Sequence, residues 1–181
     1  MPRLLRHLRK KNRWQSDEPL LWLEEGDIPA DPLDNLSTLQ NKLSVFEVND
    51  DLSRIERVAA AMATRKELIQ EFDYIVFDQE LLEEIGIAIN LVGGDTPDNK
   101  ANSWHRDLIQ LSATKLVELA KRLVPTTEPD QILPKRIREV LINIVASGEI
   151  DWNQVNLKNE HGRAEIETEI ERLRALRQQK S

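Results

Sequence analysis

The chain of 181 residues contains no cysteine. That excludes disulfides, thiolate nucleophiles and Cys-ligated zinc or iron–sulfur centres. Histidine occurs only at His7, His105 and His161, too scattered to read as a metal-ligand set. Long apolar runs are also missing. The longest, residues 85–92, is broken by Gly86 and Asn90 and falls well short of the roughly 18 residues a membrane span needs. The basic start is followed by no signal-peptide apolar region, so the expectation is a cytoplasmic protein. Gly93-Gly94-Asp95 has neither the strand-then-helix frame nor the Lys-Ser/Thr of a phosphate loop.

Two catalytic signatures fail on inspection. His105-Arg106-Asp107-Leu108 matches the start of a kinase catalytic loop, but Ser112 stands where its Asn belongs and the other kinase elements are missing. Ser112-Ala113-Thr114-Lys115 has the spacing of a penicillin-binding nucleophile without its companion motifs. Both read as parts of one amphipathic helix.

What is present is a foldable chain, 40% hydrophobic and 31% charged, of a length that suits one domain or one domain with an appendage. Its charge is unevenly spread. Arg3, Arg6, Arg9, Lys10, Lys11 and Arg13 give residues 1–15 six positive charges and no negative one, so the remainder carries −13 to reach the net −7. Residues 1–15 therefore read as a basic arm. Leu4, Leu5 and Leu8 share a helical side of it. An acidic body follows, rich in carboxylates between Asp17 and Asp51.

Apolar patterning predicts an α/β fold, with α+β as the variant: a small, mostly parallel sheet with one βαβ unit, then a helical second half. Residues 19–23 and 43–48 read as strands, and Asp50, Asp51 and Ser53 supply helix-capping chemistry. A helix of about 18 residues with Ile55, Val58, Ala59 and Met62 at helical intervals follows. Residues 73–77 form another strand, apolar on both faces, as a buried parallel neighbour of 43–48 requires. Residues 103–124 read as one long amphipathic helix. A second helix starts at Pro134 and ends at Gly148, and a third covers 163–180. The organisation expected is an arm over 1–15, an α/β portion over 16–95 and a helical portion over 96–181 sharing its core.

Three functional readings follow. The favoured one is a non-catalytic accessory, regulatory or immunity-type subunit that offers an acidic surface to a larger, basic partner. Its contact residues would be Trp14, Glu24, Glu25, Asp27, Asp31 and Asp34, with the stripe Ile166, Ile170 and Leu173. The second is nucleic-acid or anionic-membrane binding by Arg3, Arg6, Arg9, Lys10, Lys11 and Arg13. The third places Asp50, Asp51, Asp78 and Glu80 at the carboxyl edge of two parallel strands. There they would hold Mg²⁺ for a phosphotransferase or nuclease; no other cofactor is expected.

Overall fold

A computed structural model of the chain describes residues 2–15, 23–158 and 160–179, the side chains of 160 and 161 excepted. The strand expected at 19–23, with Trp22, lies outside the described residues but for Leu23. The chain gathers into two compact units that interleave along the sequence. A sheet unit takes residues 1–50, 73–93 and 104–131, and a helical unit takes 51–72, 94–103 and 132–181.

The first strand is β1, Arg3–Leu8, and the short helix α1 is Asp31–Asn35. Then come β2 (Leu43–Glu47), α2 (Leu52–Ala63), β3 (Phe72–Asp78), α3 (Glu80–Ile85) and β4 (Ala88–Leu91). They are followed by α4 (Asn99–Ser103), β5 (His105–Ile109), α5 (Ala113–Leu123) and β6 (Asp130–Ile132). Two helices, α6 (Pro134–Ala146) and α7 (Glu160–Gln178), complete the described chain.

The six strands form one sheet in the order β4-β5-β2-β1-β3-β6. The pairings of β4 with β5, β5 with β2, β2 with β1 and β1 with β3 are all antiparallel. The fold is therefore α+β, and the expected parallel sheet is overturned. The cause is β1. Strands β2 and β3 do run the same way, because each is antiparallel to β1, but β1 lies between them. Its register sets Arg3 opposite Asp78, Leu8 opposite Asp73 and Leu4 opposite Glu47.

The supposed helical arm is thus a central strand. Burial explains the choice: Leu4, Leu5 and Leu8 are each at most 1% exposed, worth about 1.5–3 kcal/mol apiece as an upper figure. A dozen residues of isolated helix offer far less. One face of the sheet, carrying Leu4, Leu8, Val45, Ile75, Phe77 and Leu108, packs with Leu36, Leu82, Leu119 and Leu123 into a single core.

The expected helix over 103–124 is likewise two elements. Residues 105–109 pair with β2, placing Leu108 opposite Leu43. The chain turns at Gln110, whose φ is +59°. Ser112 then caps α5 by accepting from the Lys115 N–H at 3.2 Å.

In the helical unit, α6 follows its sequence closely. Pro134 sits in its first turn, and Ile137, Leu141, Ile144 and Val145 are buried. Gly148 takes φ +81° just past its end. The Glu149 N–H then donates back to the Ile144 carbonyl at 3.2 Å, an arrangement that favours glycine.

Candidate functional site

The carboxylate rim forms part of the expected arrangement, with an added cation at its centre. Because β1 starts where β2 and β3 end, Arg3 stands between their carboxyl termini. It is ion-paired with Asp50 and lies 3.4 Å from Asp78 through Nε. Asp51 has its own task, with Oδ1 accepting from the Ser53 N–H at 2.9 Å and its hydroxyl at 2.6 Å to cap α2. The Ser53 hydroxyl, above all, holds the Asp51 carboxyl below its ordinary range. Glu80 is exposed in the first turn of α3. Among the described residues, no group of three or more His, Asp or Glu side chains is placed to hold a metal ion.

The six cations of residues 1–15 divide sharply. Arg3 serves the rim. Arg6 donates through Nε (3.0 Å) and Nη2 (2.8 Å) to the Asn35 carbonyl, and through Nη1 to the Ser44 carbonyl at 2.9 Å. Arg9 and Arg13 share the Asp34 carboxylate at 3.2 and 3.1 Å. Lys10 and Lys11 have exposed side chains, while the Lys11 N–H donates to Asp73 at 2.7 Å. The arginines are engaged with the protein itself.

Trp14, expected at an interface, is instead fully buried. Its indole N–H donates to the Thr127 carbonyl and hydroxyl at 3.3 and 3.2 Å, so the anchor faces the core. Ile166 and Ile170 are also buried and Leu173 half-buried, which makes most of that stripe packing surface. Ile166 nevertheless lines a cavity of about 410 Å³ in the helical unit, with Leu68, Ile69 and Leu157 as further apolar walls and Lys135, Arg138 and Arg163 at its side. Two of these cations are paired, Arg138 with Glu165 at 2.9 Å and Arg163 with Glu167 at 3.1 Å.

The acidic segment runs into helix α1, which takes in Asp31 and Asp34. Glu24, Glu25, Asp27 and Asp31 are exposed. Lys121 lies 4.0 Å from Asp27. Asp34 differs, being occupied by Arg9 and Arg13.

His105 and Asp107 lie on β5 rather than a helix. His105 Nδ1 is 3.2 Å from the Val92 carbonyl, and its Nε2 is 3.7 Å from Asp107 Oδ1. The Ser44 hydroxyl donates to the same Asp107 oxygen at 3.5 Å. With Asp107 in the middle, no imidazole stands between hydroxyl and carboxylate, so the set lacks the order a nucleophilic serine needs.

Sequence reading missed three features. The first is Asn35, whose buried side chain accepts from the Arg9 N–H at 2.8 Å. The second is the Arg57–Asp98 pair, two contacts of 2.7 and 3.0 Å in the helical unit. A cue for it existed: Asp98 also accepts from the N–H groups of Lys100 and Ala101, the signature of a helix cap after Pro97. The third is the helical-unit cavity, whose walls come from four separate stretches of chain.

Comparisons with protein-family models, with curated proteins and with solved structures find no match to this chain. No described helix is long and apolar enough to cross a membrane.

Proposed function

We propose that the protein is a non-catalytic binding subunit whose acidic segment, residues 24–31, engages a basic surface on a larger protein. One observation carries this reading. Glu24, Glu25 and Asp31 are exposed carboxylates with no ion-pair partner among the described residues, where most arginines and many other acids are paired. Carboxylates left unpaired at a surface project a field that steers an oppositely charged partner, raising association rate more than affinity. Their neighbour Asp34, held by Arg9 and Arg13, ties the segment to the stretch that follows β1 and so gives it a fixed base.

The test is a quantitative pull-down with wild type and with Glu24→Lys/Glu25→Lys/Asp31→Lys, at low and at moderate salt. The expected result is a set of basic proteins that weakens with salt and falls by about tenfold in the triple variant. An identical captured set with both baits would end this reading.

A further inference from the structure

Arg6 occupies an unusual position for a cation. It lies on a central strand, opposite Ile75, on the face that carries the buried Leu4 and Leu8, and it is itself half-buried. A guanidinium so placed ordinarily meets a carboxylate, because a desolvated charge is costly without a counter-charge. Among the described residues, Arg6 meets only backbone carbonyls. Of its five N–H groups, two go to the Asn35 carbonyl and one to the Ser44 carbonyl. One N–H on each terminal nitrogen has no acceptor among the described residues. Burial and the nearby charge of Arg9 push the Arg6 pKa down to about 10, consistent with a cation whose surroundings supply no anion.

A second observation, on a different side chain, points the same way. Asn35 is 1% exposed. Its Oδ1 accepts from the Arg9 N–H, which fixes the orientation of the amide. Its Nδ2 is buried with no acceptor among the described residues. A buried amide left this way forfeits a hydrogen bond's worth of stability. Arg9 adds a third donor group nearby, its guanidinium reaching Asp34 and the Ser37 hydroxyl at 3.2 Å each. Unused donors from two residues, beside a second arginine, make a set that matches an oxyanion and no cation or neutral apolar group.

We propose that Arg6 and Asn35, with Arg9 beside them, bind a small oxyanion, the phosphate or carboxylate group of a ligand. The assignment is independent of the acidic segment's partner, since it concerns donors rather than carboxylates. Arg6 supplies the charge and two N–H groups, the Asn35 amide supplies a neutral donor, and Arg9 adds long-range attraction. The backbone carbonyls that hold Arg6 keep its head in one place, so little side-chain freedom is lost on binding.

The experiment follows the side-chain N–H signals of Asn35 and the arginine Nε–H signals by NMR in the intact chain. Inorganic phosphate, sodium acetate and sodium chloride are titrated separately at one ionic strength. Saturable shifts of the Asn35 amide with phosphate alone support a phosphoryl ligand, and with phosphate and acetate a general oxyanion. Shifts that are unsaturable, or equal with chloride, overturn the proposal. Asn35→Asp keeps the acceptor for the Arg9 N–H and replaces the unused donor with a carboxylate beside Arg6. It should weaken phosphate at least about tenfold, and equal affinity in this variant would also overturn the proposal. Arg6→Lys, which keeps the charge and loses the planar fork, should weaken it as well and provides a second check should Asn35→Asp fold poorly.

Discussion

Two arginines, one in each unit, show opposite ways of keeping a guanidinium out of water. In the helical unit Arg57 is clasped by Asp98, which is fully buried, and by Glu149 at 2.8 Å. Burial lowers its pKa, but its hydrogen bonds to Asp98 and then Glu149 outweigh that and raise it above the ordinary value. In the sheet unit Arg6 has carbonyl partners only among the described residues, and burial wins. The first arrangement is a closed ion pair that serves the fold. The second serves the fold through neutral acceptors and keeps positive charge in reserve. The difference lies in the partners' charge, since both side chains are partly desolvated.

Replacing each arginine by methionine sharpens the contrast most. Arg57→Met strands the Asp98 carboxylate in the interior and should cost about 3–5 kcal/mol, read as a lower denaturation midpoint with an unchanged slope. Arg6→Met leaves two carbonyls short of donors but removes an uncompensated charge, so its cost should be about 1–2 kcal/mol. Equal losses would erase the distinction.

A pH series separates the two further. Glu149 is held below its ordinary value of 4.5 by the Ser147 hydroxyl and then by Arg57. A carboxyl lowered in the folded state adds stability that is complete above pH 4.5 and disappears as pH falls through the folded value. Unfolding midpoints between pH 6 and pH 3 should therefore drop in wild type and drop less steeply in Arg57→Met, while Arg6→Met should follow wild type. The smallest effect is expected at Leu91, which is 77% exposed on β4, the edge strand of the sheet unit. Leu91→Lys should change stability by no more than about 0.5 kcal/mol and reduce any concentration-dependent self-association seen by sedimentation, because a charge blunts an exposed edge.

Much of the helical unit was legible in its sequence, because its signals are local. Pro134 and Gly148 bracket α6, Asp51 caps α2, and Ile55, Val58 and Ala59 of α2 are buried as their spacing implies. The sheet was less legible. Leu4, Leu5 and Leu8 fit a helical stripe and a two-sided strand equally well over six residues, and the two arginines among them, Arg3 and Arg6, argue against a central strand. Only the distant acceptors Asp50, Asp78, Asn35 and Ser44 make that strand tolerable. Residues 105–109 were hidden similarly, since Trp104, Leu108 and Leu111 fall at helical intervals although Leu108 packs as a strand residue. The rim carboxylates were located along the correct edge for an incorrect reason, and the arginine that answers them was assigned to a loose arm.

The middle position of β1 also sets an order of events during synthesis. A ribosome delivers Arg3–Leu8 long before Phe72–Asp78, yet full pairing of the first needs the second. Until then a greasy, cationic ribbon waits with at least one open side, able to pair with whatever passes. Closing so wide a loop is slow, and chains waiting in that state are the ones a cell's folding helpers would be expected to meet.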